Sequence, residues 1–454
     1  MLSSCIEDGV STSAGDQPTF STDTLDIGDV LTDEGTPTRR FIVYNRHDKI
    51  INIDQIGLRD DAGKVFRLNV DGLSGETFTN VEIRPNDSIF VFVEATLPVN
   101  GVDKPVEVRS HLDFLTRGVT NTVVITARGQ DAVRLRGETI EADTRFTADK
   151  PYQIFDSLVV APGVTLTLAP GTRLLFHDKK SYLRVYGTLK SLGRPGANVE
   201  MTGDRTGYVA AKIPYEVMSG QWTGVSFMKG SRDNELRYTS IRNTIEGVTA
   251  DGCASSPGVT IVASQLRNSQ GYVLSAVDTD LFIASTELAD ASAGVVRLEG
   301  GTHTINHCTI ANYYLFSALG GPAIQFAHVD GETDNGSGRP YLKAEIANSI
   351  VYGNGSEFSH GDLTGCDVMV RRTLIRSNGS DDDNFIECLW GMDPAYYTVR
   401  EDYHFDYRLR PESEAIGQGD PGLMHSESAV DRYGVRRDAS APDLGAYVFV
   451  MPDL

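Results

Sequence analysis

The sequence predicts an all-β chain, a β-sandwich over 20–131 followed by a parallel β-solenoid of roughly ten coils over 132–454. Three observations carry this. A short phrase recurs from Thr239 onward: TSIRN at 239–243, SQLRN at 264–268, TELAD at 286–290, CTIAN at 308–312, NSIVYGN at 348–354 and TLIRSN at 373–378. Anchored on Ile241, Leu266, Leu288 and Ile310, the steps are 25, 22 and 22 residues, the length of one solenoid turn. The next step, to Ile350, is 40 residues, so the Gly- and Asp-rich 328–340 is expected to be a loop that interrupts the stack. Second, each phrase closes on Asn or Asp, which tolerates the left-handed backbone of a tight corner. Third, the first part of the chain breaks into short alternating strands divided by turn residues.

Residues 1–19 are small and polar and read as a flexible tether. Seven strands follow, at 25–31, 39–45, 51–58, 65–70, 88–97, 106–115 and 122–129, the number and spacing of a sandwich. From Asp131, apolar and polar residues alternate in strands of four to six, punctuated by Pro162-Gly163, Pro170-Gly171 and Gly187. Leu166, Leu168, Leu174, Phe176, Leu183, Val185 and Leu189 are expected to point inward. Cys366 and Cys388 lie 22 residues apart, which would stack them in neighbouring coils close enough for a disulfide.

With 62 acidic against 41 basic side chains, the net charge of −21 repels phosphate backbones and argues against a nucleic-acid partner. No run of eighteen apolar residues is present to cross a membrane as a helix.

Leu2-Ser3-Ser4-Cys5 resembles the lipobox of bacterial lipoproteins, with Cys5 the residue that would be acylated. Glu7 and Asp8 directly after it resemble the acidic export signals of Bacteroidetes-type surface lipoproteins, which implies the outer membrane as location and partner. LDIGDV, RRFIVYN, RPNDSIFVFVEA, LDFLTRG and VVITARGQ, in that order, resemble immunoglobulin-like domains of the ASPM and hydin type, mostly spacers or adhesion modules. PYQIFDSLVVAPGVTLTLAPGTRLLFH, LRVYGTLKSLG and GQWTGVSF look like the opening coils of right-handed parallel β-helix proteins. DPG at 420–422 and DRYGVRRDASAPDLGAY at 431–447 resemble the closing segment of many such proteins, with Val448 where Glu is common. That family holds polysaccharide lyases, glycoside hydrolases, adhesins and proteins with no known activity, so the resemblance implies architecture and not activity.

Chemistry on such a fold needs charged groups that converge from adjacent coils. A lyase needs a base and a group that neutralises the uronate, and an inverting hydrolase needs two carboxyl groups roughly 6.5–9.5 Å apart. The catalytic candidates are Asp381, Asp382, Arg372 and His360, with Asp362 and Arg371 nearby. Asp381, Asp382 and Asp383 are also the candidate Ca²⁺ ligands, although NGSDDDN equally reads as a solvated turn. His303 and His307 on a strand share a face and are expected to pack or line the surface. Trp222, Trp390, Tyr396 and Tyr397, with Tyr313 and Tyr314, are the aromatic residues available to stack on sugar rings; Trp222 reads equally as closing a coil. No stretch pairs the catalytic motifs, so the expected role is a non-catalytic surface binding or scaffold subunit for glycan or protein. A lyase or hydrolase is the alternative.

Overall fold

The computed structural model describes residues 9–59, 64–210, 212–327, 342–360 and 364–451. It is all-β, and the chain divides into two compact units, 1–132 and 133–454. The expected loop at 328–340, Cys5 and Asp362 lie outside the described residues.

In the first unit all seven expected strands are present, from Thr24–Leu31 to Val119–Gln130. They are joined by Thr19–Phe20, Leu73–Gly75 and Thr77–Ile83. Two five-stranded sheets result. Alternation puts Phe41, Val43, Phe66 and Val91 of one sheet and Ile53, Ile56, Phe114 and Ile125 of the other into a single core. Phe41 meets Phe114 edge-on at 6.2 Å. Among the described strands pairing is antiparallel except where Val119–Gln130 runs parallel to Thr24–Leu31, and an isolated parallel bridge joins Val10 to Ile50.

Apart from the short antiparallel pair Tyr208–Ala210 and Ile213–Pro214, the second unit is built from parallel strands in one seventeen-stranded and one ten-stranded sheet. Each repeat pairs in register with the next, so Ile241, Leu266, Leu288 and Ile310 form one continuous row. The row continues to Val351 and not to Ile350, which is paired with Thr309 instead. The seven residues expected to face inward are all fully buried in one core. The corners behave as their residue type requires: Asn243, Asn268 and Asp290 have φ of 68°, 59° and 62°.

The last repeat is short. Val370 pairs with Phe385 and Leu374 with Leu389, so Cys388 falls level with Thr373 and not with Cys366. The expected stacking of the two cysteines fails because the spacing of 22 spans more than this shortened repeat.

A segment from Gly391 to Met451, almost without regular structure, lies over the outer side of one row of strands. The row Ser240, Gln265, Glu287, Thr309, Ile350, Leu374, Leu389 passes from polar to apolar along its length. Its apolar end, with Ala289 and Ala311, is covered by Tyr396, Tyr407, Leu409, Leu444 and Tyr447. The segment is fixed by buried polar contacts. Arg437 donates to the carbonyls of Ser428 (2.9 Å), Asp443 (3.1 Å) and Gly445 (2.8 Å). Asp431 accepts from the amides of Tyr433, Val435 and Val448.

Candidate functional site

The acidic corner at 378–390 is an interlocked turn. Both oxygens of Asp381 are engaged, by the amides of Glu387 (2.6 Å) and Cys388 (3.1 Å) and the indole N–H of Trp390 (3.1 Å). The Trp390 hydrogen bond, with those amides, holds the Asp381 carboxyl below the usual carboxylate range. Asp382 accepts from the amides of Asn384 (2.8 Å) and Phe385 (2.9 Å), and Asp383 is exposed. The three carboxylates do not converge, and their ligand atoms form no cluster within 4.8 Å. A Ca²⁺ cradle is not assembled there: both Asp381 oxygens and Asp382 Oδ1 are turned to local amides, and Asp383 points to solvent.

Arg372 sits at a left-handed corner, φ 46°, donates through Nε to the carbonyl of Gln418 (2.7 Å), and so tethers the closing segment. His360 ends the strand Phe358–His360 in the seventeen-stranded sheet, whereas Phe385–Ile386 after the acidic turn belongs to the other.

The aromatic candidates are mostly packed. Trp222 is fully buried, stacked on Phe176 at 3.8 Å with its N–H on the Arg242 carbonyl, so it has no face for a sugar. Tyr396 is buried edge-on to Tyr407, and Tyr313 stacks on Tyr407 at 6.0 Å. The Tyr314 hydroxyl shares a hydrogen bond with Ser219 (2.7 Å). Trp390 is half-buried against Phe385, over Gly379, where a Cβ would meet its ring at 2.4 Å. Tyr397 is half-buried, with the guanidiniums of Arg410 and Arg408 5.5 and 5.9 Å from its ring.

His303 points inward, with Nε2 against the Gly300 carbonyl (2.7 Å), and burial lowers its pKa to about 4. His307 occupies a corner, φ 50°. Its Nε2 accepts from the Asn348 amide (3.1 Å), which leaves Nδ1–H to donate to the Asp443 carbonyl (3.0 Å). Both imidazoles are structural.

A groove remains where the closing segment crosses the outer side of the ten-stranded sheet. It is a cavity of about 360 Å³, within the range of small-ligand sites. Thr304 and Glu345, adjacent in paired strands, line one side; Met424, His425 and Ser426 form the other. Asn306 staples the two together. Its amide donates to the Leu423 carbonyl (2.8 Å), and its Oδ1 accepts from the His425 amide (3.1 Å) and the Ser428 hydroxyl (2.7 Å). The His425 ring is exposed, held edge-on to Phe282 at 5.0 Å, and Arg371 lies 3.8 Å from Glu345. The groove thus offers a hydroxyl, a carboxylate, an imidazole and a thioether, which suits a polar ligand with apolar faces. Among its lining residues Glu345 is the single carboxylate, whereas two-carboxylate hydrolysis needs a partner across the bond. No periodicity marks His425, which lies in an irregular segment, and Glu345 reads as one more outward residue of an alternating strand.

No protein-family model matches the chain, and no curated protein matches it. Among solved structures it is similar to a family 123 glycoside hydrolase from Clostridium perfringens, described for glycolipid glycan hydrolysis. The identity is 9% and the TM-score 0.18, over 24% of this chain and 23% of that one. It is also similar to the Agl-KA catalytic domain at 10% identity and TM-score 0.19, over 78% and 80% of the two chains. At these scores neither likeness bears on fold or chemistry.

Proposed function

We propose that this chain is a cell-surface lipoprotein of an outer membrane, anchored through Cys5, that binds glycan without cleaving it. In this reading the first unit is an immunoglobulin-like spacer and the second a right-handed parallel β-helix. The near-constant step between paired parallel strands supports the β-helix, and the lipobox-like Leu2 to Cys5 supports the anchor. The observation that carries the binding role is the groove lined by Thr304, Glu345 and His425, with one carboxylate and no second across from it. Sugar hydroxyls match these donors and acceptors, and Met424 with the Phe282–His425 edge offers apolar surface to a ring. Titration of the protein with a panel of neutral and acidic oligosaccharides tests the reading. His425→Ala should weaken binding of the responding sugar about tenfold, the worth of one hydrogen bond to a polar ligand, and leave the melting temperature unchanged. Equal affinity of variant and parent would remove the groove from the function, and binding of protein but no sugar would replace glycan by a protein partner.

A further inference from the structure

A second, unrelated polar centre lies under the closing segment. Arg242 and Arg267 are paired neighbours in adjacent parallel strands, on the side opposite the inward-facing Ile241 and Leu266. Arg432, from the closing segment, is only 7% exposed and hydrogen-bonds Tyr447, whose hydroxyl donates to the Glu287 that lies beside Arg267. The Nε–H of all three is buried and has no hydrogen-bond partner among the described residues. A buried guanidinium donor left unmade is costly, and three in one place are more so.

The carboxylates around them do not fill these positions. Glu287 lies 3.9 Å from Arg267 but is already held by the Gln265 amide (2.9 Å) and the Tyr447 hydroxyl. Arg267 also donates to the Phe405 carbonyl (3.2 Å), and the charges of Asp290 and Glu216 act on it as well. Burial lowers the pKa of Arg242, with the charges of Glu216 and Glu200 opposing it, whereas Arg267 and Arg432, equally opposed by burial, are held above the ordinary value by the charge of Glu287.

Glu216 marks the mouth of the cluster. It lies in the short turn Tyr215–Val217, whose backbone is pinned by Asn243 and Asn268 donating to the Glu216 carbonyl at 2.7 and 3.1 Å. Its side chain, 55% exposed, places one oxygen 3.3 Å from Arg242. An exposed carboxylate on a fixed turn can swing away at little cost, because a solvated ion pair contributes little.

We propose that Arg242, Arg267 and Arg432 form an oxyanion-binding site in which the Glu216 carboxylate occupies the entrance until a ligand carboxylate, sulfate or phosphate replaces it. Guanidiniums bind such groups through paired N–H donors, and a site screened from water strengthens each contact. The oxyanion is either a free ion or a charged substituent of a glycan.

Isothermal titration of the full chain at constant ionic strength, set with chloride, distinguishes these sources. The probes are sodium sulfate, sodium phosphate, glucuronate, dextran sulfate and uncharged dextran. Saturable binding of sulfate or phosphate assigns the site to a free ion; preference for dextran sulfate or glucuronate assigns it to a charged sugar. Glu216→Gln should tighten binding severalfold, because the competing carboxylate is gone. Arg242→Met, at the half-buried entrance, should weaken it about tenfold. The Glu216 variant alters an exposed side chain and keeps the test valid if the arginine variant fails to fold. Absence of saturable binding to every charged probe, or affinity unchanged by Glu216→Gln, would overturn the proposal.

Discussion

Asp290 occupies a corner whose equivalents one and two repeats earlier are Asn268 and Asn243, all three left-handed. Its carboxylate accepts from the Tyr407 hydroxyl (2.5 Å) and the Tyr313 amide (2.9 Å), and its second oxygen is buried without a partner. Burial raises its pKa to about 6 from the ordinary 3.8. A raised carboxyl pKa favours the folded state while the group is protonated in both states, below about pH 4, and that stability is lost as pH rises through about 6. Asp290→Asn, which keeps the corner's preferred residue class, should therefore gain on the parent between pH 4 and 7, by on the order of 2–3 kcal/mol in denaturant unfolding. His303 and His307 act in the opposite sense in both proteins. Burial depresses their pKa values, so the stability they confer is present above about pH 6.5 and falls as pH drops, for His303 through about 4. The corner role of Asn243, Asn268 and Asp290 was legible in the sequence because it depends on local backbone chemistry. The burial of Asp290 under Tyr407, 117 residues away, was not, because nothing local encodes which outer row a distant irregular segment will cover.

The closing segment is the element on which the second unit's outer face depends. Arg437→Met should leave the Gly445 carbonyl buried without a donor and strip one donor each from the carbonyls of Ser428 and Asp443, which keep Ser285 and His307, with a cost of roughly 3–5 kcal/mol. Denaturant unfolding should read that loss, and limited proteolysis should cut first within 391–451. The spacing Asp431, Gly434, Arg437 and then Asp443 to Tyr447 was recognisable as a motif, and the Tyr447 hydroxyl now finds Glu287, while Val448 contributes only its amide, to Asp431. The acidic turn shows the opposite case. Asp381 to Asp383 resemble a cation or catalytic cluster when only residue type and spacing are visible, yet two of them are spent on backbone amides. Asp381→Ala should accelerate hydrogen exchange at Glu387 and Cys388 by about an order of magnitude and leave the rest of the unit protected. Unchanged exchange there would mean that Asp381 is not the cap described.

For the whole molecule, the period of 22 to 25 residues and the seven sandwich strands were legible because each repeat must bury one inward row. The groove of Glu345 and His425 was invisible, since it exists only where an irregular strand of chain passes over a sheet. The proposed anchor is testable separately: in a precursor that carries a complete signal peptide, Cys5→Ala should move the protein from the membrane to the soluble fraction. The binding role is tested most directly by size-exclusion chromatography with light scattering on the full chain mixed with neutral and acidic polysaccharides of defined length, in the presence of Ca²⁺. A responding polymer should co-elute with the protein and keep its length after prolonged incubation; a polymer that shortens in the presence of the protein would mean that it cleaves its ligand and does not merely bind it.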